Sequence, residues 1–164
     1  MTQLKHHLLA PPAGSFGCTS HQVRRLSRTL ARLYDRHMAA VGMTVGQFAI
    51  LRSLRHAHLS TTELAVELAA ERTTMTRALR PLLERGWLAY SLAEDGRTRL
   101  LQLTESGLEQ LRLARPHWRR VQKLVETTVG QQHIEAFHKT AESLRLALEQ
   151  HLHETQNERD AENK

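Results

Sequence analysis

The sequence predicts a mainly α-helical fold that carries one small β-hairpin and ends, on both sides, in long helices. Three observations predict it. Apolar residues recur at helical spacing along most of the 164 residues. The period changes to strand-like runs only once, over residues 87–92 and 98–103, around the turn signal Asp95-Gly96. Just before that hairpin stand two short helical segments. The first opens with Ser60-Thr61-Thr62-Glu63, in which Ser60 and Glu63 can each satisfy the other's backbone amide.

The elements follow in order. Val23, Leu26, Leu30, Leu33 and Val41 repeat at helical spacing, with Tyr34, His37 and Met38 filling the stripe, and Gly42 ends this helix. Thr44-Val45-Gly46-Gln47 is a second capping box. It opens a helix that buries Phe48, Leu51 and Leu54 and is expected to end near residues 56–58. The Ser60 box opens a short helix with Leu64, Ala65 and Leu68 inward. Another runs from Arg72 to Arg85 with Met75, Leu79, Leu82 and Leu83 inward; Pro81 should loosen one turn, and Gly86 stops it. The hairpin has the charged tip Ala93-Glu94-Asp95-Gly96-Arg97. Thr104 caps a long helix bearing Leu108, Leu111, Trp118, Val121, Leu124 and Val125, which Pro116 should bend. After Gly130, the stripe Ile134, Phe137, Ala141, Leu144, Leu148 and Leu152 marks the last helix.

The expected organisation is a flexible tail over residues 1–17 and N-terminal helices for dimerisation and support over 18–58. A hairpin-bearing centre over 59–104, C-terminal dimerisation helices over 105–153 and a frayed polar tail over 154–164 complete it. A centre of ~45 residues is marginal alone. The outer stripes exceed what it needs, and pairing between two copies would bury the surplus.

Composition bounds the function. There is no apolar run long enough to span a membrane, and the single cysteine cannot form an internal disulfide, which fits a reducing cytoplasm. The net charge of +6 is uneven, with eight basic residues against one acidic over residues 1–59. Such a balance suits a phosphate-bearing partner, although modest positive charge also serves solubility. No nucleophile elbow, phosphate loop, dinucleotide fingerprint or zinc-protease motif is present, so no catalysis and no cofactor are expected. The histidine pairs His56/His58, His133/His138 and His151/His153 lack the spacing that puts ligands on one helix face, and no metal site is read from them.

Short helix, tight connection, second helix and hairpin together make a winged helix-turn-helix. The second helix of such a pair fits the major groove of DNA. Its leading residues here are Arg72, Thr73, Thr74, Thr76, Arg77 and Arg80; arginine can pair with guanine and threonine can meet a phosphate, a base edge or a thymine methyl. On the wing, Arg97 can enter a minor groove, with Arg99 behind it, while Asp95 orients Arg97 or makes the turn. The plainer alternative for Arg72, Arg77 and Arg80 is a solvated helix face.

The segment from Leu64 to Gly107 resembles the MarR family of bacterial transcription regulators. The resemblance is carried by Glu63-Leu64-Ala65, Arg72-Thr73-Thr74-Met75-Thr76-Arg77, Leu83-Glu84-Arg85-Gly86-Trp87-Leu88, Asp95-Gly96-Arg97 and Leu103-Thr104-Glu105-Ser106-Gly107. It extends outward through residues 32–35 and 42–48, and Arg115-Pro116-His117-Trp118 resembles one subgroup's fifth helix. The resemblance implies a homodimer on a pseudo-palindromic operator, usually a repressor, released by a small, often phenolic or anionic ligand or by oxidation. Under it, Arg72, Thr73, Thr74, Thr76, Arg77 and Arg80 read the major groove and its phosphates. Arg97 enters the minor groove with Asp95 in support, and Ser60 and Thr61 lie near a phosphate.

Two control mechanisms stay open. Cys18 is the only thiol, which makes a redox-responsive regulator one alternative; the reactive position of the family's hydroperoxide sensors falls on Ser20 instead, and Arg24 stands where those sensors carry a tyrosine. For a small ligand, Tyr34, His37, Met38, Phe48 and Trp118 are wall residues by alignment, with Arg36 or Arg52 to meet an anion; Phe48 and Trp118 also suit a plain core. A winged helix can bind protein rather than DNA, so a protein-interaction module is the alternative of another class. The basic face of the second helix and Arg97 weigh against it.

Overall fold

The computed structural model describes residues 17–94 and 96–162. The tail expected over residues 1–17 (Gly17 apart) and the role expected of Asp95 lie outside them. The elements run α1 (Thr19–Met38), a 3-10 turn (Ala39–Val41), α2 (Val45–Ser53), α3 (Thr61–Glu67), α4 (Arg72–Glu84), β1 (Leu88–Leu92), β2 (Arg99–Leu103), α5 (Glu105–Val129) and α6 (Gln131–Glu162). The mainly helical winged architecture is the one expected.

The described chain divides into two compact units between Trp118 and Arg119, within α5, and not at residue 105 where the sequence pattern suggests a boundary. The reason lies in the first half of α5: Leu111 and Ala114 are buried in the same core as Met38, Phe48, Leu51, Leu64, Leu79 and Leu101. The first turns of α5 therefore belong to the winged unit.

Local chemistry sets the helix ends. In the Thr44 box the Thr44 hydroxyl accepts from the Gln47 amide at 3.2 Å, and the Gln47 side chain accepts from the Thr44 amide at 3.0 Å. A cap of this kind stabilises a helix by about 1 kcal/mol. The Val45 amide donates to Asp35 of α1 at 2.7 Å, which ties α2 to α1. The turn between them is held from outside, where Gln110 donates to the Val41 carbonyl at 2.6 Å and Arg85 to the Gly42 carbonyl at 2.7 Å.

α2 ends at Ser53, short of residues 56–58. Leu59 pairs with Leu101 of β2, its amide donating at 3.3 Å and its carbonyl accepting at 2.7 Å, so the chain must leave the helix to reach the sheet. α4 continues through Pro81 to Glu84. It stops at Gly86, whose φ of +68° suits glycine. The Trp87 amide closes that end on the Leu82 carbonyl and the Gly86 amide on Leu83. Trp87 thus belongs to the helix end, and β1 starts one residue later than expected. β1 and β2 pair antiparallel from Leu88–Leu103 to Leu92–Arg99.

In the second unit, Gly130 separates α5 from α6 with φ of +93°. In the first unit, α5 continues as a helix past Pro116. α6 is longer than expected, since the tail expected to fray over 154–164 is helical to Glu162. Side chains account for this: Gln150 donates to Glu154, Gln156 to Asp160, and the Thr155 hydroxyl caps the His151 and Leu152 carbonyls. Phe137, Leu144, Leu148 and Leu152 of the expected stripe are exposed, the last at 66 %.

Candidate nucleic-acid interface

The helix pair is built around a strained corner. α3 ends with Ala69 at φ +48°, a conformation alanine rarely adopts. The Ala70 amide bonds the Ala65 carbonyl at 2.8 Å and the Ala69 amide bonds Val66 at 3.1 Å, closing α3 so that α4 can start at Arg72. Met75, Leu79 and Leu82 anchor α4 in the core. At 3.6 residues per turn, Thr73, Arg77, Arg80 and Glu84 form the stripe facing directly away from that anchor, flanked by Arg72 and Thr76 on one side and Thr74 on the other. All seven are exposed. The six residues expected to read DNA therefore share one solvent-facing surface.

Two of the six are already engaged. The Thr76 hydroxyl donates to the Arg72 carbonyl at 2.9 Å, which leaves its methyl and lone pairs outward. Arg80 donates to Glu84 at 2.7 Å, and that hydrogen bond raises the Arg80 pKa. The pair is 80 % and 60 % exposed, so water competes for it and a phosphate can exchange with it. Glu71, at the start of α4, provides no side-chain cap, leaving the first-turn amides without a side-chain partner there.

Ser60 is the N-cap of α3, and Thr61 is its first residue. The Ser60 hydroxyl accepts from the Glu63 amide at 3.2 Å and the Ser60 amide donates to the Glu63 carboxylate at 2.8 Å. That backbone bond from Ser60 holds the Glu63 carboxyl below its ordinary pKa. A fixed carboxylate at this helix start opposes a phosphate, while Thr61 is half-buried beside it.

On the wing, the tip is closed by the Ala93 amide on the Thr98 carbonyl at 2.8 Å and the Gly96 amide on the Ala93 carbonyl at 2.9 Å. Arg97 is exposed on this tip. Arg99, the first residue of β2 after the tip, lies 4.2 Å from the Tyr90 ring, its diagonal neighbour across the hairpin. Arg99 is thereby drawn onto the sheet, and Arg97 is the arginine carried at the tip.

Three of the six residues named as ligand walls come together around one cavity, and whether it takes a ligand is left to the proposal below. Phe48, Arg52 and Trp118 line a cavity of 320 Å³ together with Arg55, His56, Leu111 and Arg115. Phe48 and Trp118 stack at 5.7 Å between centroids, and Arg52 lies 5.8 Å from the Trp118 ring. Met38 is fully buried core, and neither Tyr34 nor His37 lines the cavity. Sequence reasoning misses Arg55 and Arg115. The available signal is spacing: Leu111, Arg115 and Trp118 fall on one face of α5. Among the described residues, Arg52, Arg55 and Arg115 make no ion pair. Cys18 is exposed and immediately precedes α1. Among the described residues no three His, Cys, Asp or Glu side chains converge on a metal position, and no helix is long and apolar enough to cross a membrane.

A sequence profile of the MarR family matches residues 41–98, the span from the α1–α2 turn to the wing. The chain is 32 % identical to the Mycobacterium tuberculosis transcriptional regulator MosR, solved in complex with DNA; the match covers 79 % of this chain and 99 % of that one, with a TM-score of 0.65. The chain belongs to the MarR family. It is 29 % identical over 88 residues to the uncharacterized HTH-type transcriptional regulator YwoH of Bacillus subtilis, a match spanning 53 % of this chain and 64 % of that protein. The MarR fold is also that of the Streptomyces coelicolor regulator PcaV, solved with its natural ligand, at 22 % identity, a TM-score of 0.69 and coverage of 77 % and 90 %. The MarR family is one of winged helix-turn-helix transcription regulators, not enzymes.

Proposed function

We propose that this MarR-family chain is a sequence-specific DNA-binding repressor that acts in the bacterial cytoplasm as a homodimer on a pseudo-palindromic operator. The observation that carries this reading is the exposed stripe Thr73, Arg77, Arg80 on a core-anchored α4, beside a wing that ends in Arg97. Its relative MosR was solved in complex with DNA. Two such helices, set about 34 Å apart, would enter successive major grooves. The exposed apolar stripes of α1 (Val23, Leu26) and α6 (Phe137, Leu144, Leu148, Leu152) support pairing of two copies.

The test is a salt series of binding to the DNA upstream of the protein's own gene, against random duplex. Arg77→Ala should cost about 1–3 kcal/mol on the operator and relax its specificity. Arg97→Ala should weaken binding and reduce the salt slope by about one. Arg99→Ala should do less, because Tyr90 holds that side chain to the sheet. Leu148→Glu should convert a dimer to monomer in sedimentation and abolish operator binding. Equal, weak, salt-erased binding to every duplex would sink the reading and favour a protein-interaction module.

A small aromatic anion is the effector we infer. The Phe48–Trp118 stack offers an aromatic floor, and Arg52, Arg55 and Arg115 ring it with positive charge. Aromatic acids should release the operator complex, and Arg115→Gln should raise the concentration required. Release by mild oxidant and not by any aromatic acid would favour Cys18 as the control instead.

A further inference from the structure

Helix α1 is the most one-sidedly charged element described, with five arginines, no lysine and one carboxylate in 20 residues. α4 has three arginines and one glutamate in 13. Arg24, Arg28, Arg32 and Arg36 follow at four-residue steps and Arg25 lies beside them. At 3.6 residues per turn all five fall within about a third of the helix circumference, with His21 among them. All five are exposed. Among the described residues none of them takes part in an ion pair. The carboxylate of α1, Asp35, is engaged by the Val45 amide.

The other face of α1 carries Val23, Leu26, Leu30 and Leu33, and the helix packs on the 3-10 turn and α2. Leu30 and Leu33 are half-buried and Met38 is fully buried. A membrane-surface helix must insert its apolar face beside its cations; here Leu30 and Leu33 of that face are half-buried against the protein, and the exposed apolar remainder is Val23 and Leu26, the pair assigned above to a second copy. Four-residue steps advance about 6 Å along the helix, so the ridge offers separate guanidinium forks in a row. Each fork matches a phosphate in two hydrogen bonds.

We propose that this arginine ridge is a second nucleic-acid contact, independent of sequence and distinct from the α4 and wing surface, which grips the phosphate backbone of double-stranded DNA. It does not depend on α4 reading an operator. It takes the flank of the same duplex or a second duplex, and the two share one chemistry.

The test uses the full chain and a labelled duplex of arbitrary sequence, about 40 base pairs long, over a salt series from about 50 to 200 mM. The triple variant Arg25→Gln, Arg28→Gln, Arg32→Gln keeps good helix formers in α1, checked by circular dichroism. Its salt slope should flatten by about 0.9 for each phosphate no longer neutralised, so that across the series its affinity falls about 40-fold less than that of the parent chain. The corresponding triple lysine variant should keep the slope. The same flattening is expected in an Arg77→Ala background, because separate sites add. Energy transfer between donor- and acceptor-labelled duplexes that disappears in the glutamine variant assigns the ridge a second duplex; flattening without transfer assigns it the flank. An unchanged slope overturns the proposal. So does an unchanged slope accompanied by weakened binding to phosphatidylserine vesicles, which assigns the ridge to a membrane, or by altered self-association in sedimentation, which assigns it to a second copy.

Discussion

The Thr104 hydroxyl donates to the Gly86 carbonyl across 2.6 Å, fastening the first turn of α5 to the end of α4. The same oxygen accepts from the Gly107 amide at 3.0 Å, and Ser106 donates to the Gly86 carbonyl at 2.7 Å. A Cβ at Gly107 would collide with the Trp87 carbonyl. The run Leu103-Thr104-Glu105-Ser106-Gly107 is thus a clasp that closes on the Gly86–Trp87 corner. Thr104→Val should cost about 1–2 kcal/mol in urea unfolding, with Thr104→Ser near the parent. Gly107→Ala should cost about 1–3 kcal/mol, because backbone has to move.

The corner between α3 and α4 is expected to improve with glycine. Ala69 sits at φ +48°, which costs an alanine about 1–2 kcal/mol. Glycine removes that strain but adds freedom to the unfolded chain, returning part of the gain. Ala69→Gly should therefore raise stability by up to about 1 kcal/mol, read as a higher thermal midpoint. A lower midpoint would mean that the alanine methyl has a packing role at the corner.

Glu84 restrains the reading surface. It holds Arg80 at 2.7 Å and places a negative charge on the stripe proposed to face DNA. Glu84→Gln should tighten binding to operator and random duplex alike and steepen the salt slope by about one, as Arg80 becomes available to a phosphate. The thermal midpoint should move little, since both partners are exposed.

Acid should loosen α3 first at its cap. The Glu63 carboxyl is held below its ordinary pKa of 4.5, chiefly by the Ser60 backbone amide. A lowered carboxylate contributes stability that is complete above the ordinary value and is lost as pH falls through the lowered one. The thermal midpoint should drop as the medium is taken below about pH 4.5, and Glu63→Gln, which keeps an acceptor without the charge, should make that drop shallower. Equal slopes in the two proteins would show that Glu63 adds nothing to acid sensitivity.

Much of this fold is legible in the sequence because its signals are local. Both capping boxes, the stop at Gly86, the hairpin turn and the outward stripe of α4 depend on residues within a few positions of one another. What sequence does not reveal depends on partners far along the chain. α2 stops early because Leu59 is claimed by Leu101, and α1 is tied to α2 by Asp35 on Val45, ten residues away. Met38 looks like a pocket wall in the sequence because helical spacing cannot separate a core side chain from a cavity lining. Arg55 and Arg115 escape notice for the same reason, since they come to one cavity only once the segment after α2 and the first half of α5 are in place. The Ser60 cap is one of the local signals, its hydroxyl accepting from the Glu63 amide and its amide donating to the Glu63 carboxylate.

The Leu59–Leu101 pairing has a mechanical consequence. Leu59 is the residue before the α3 cap, and Leu101 lies three residues before the Thr104 clasp. The middle of β2 is therefore tied to the entrance of the helix pair, and the end of β2 runs into the foot of α5. The backbone bonds of Leu59 and Leu101 and the Thr104 clasp thus join the entrance of α3, the wing and the first turn of α5, three segments far apart in sequence, through a single five-residue strand.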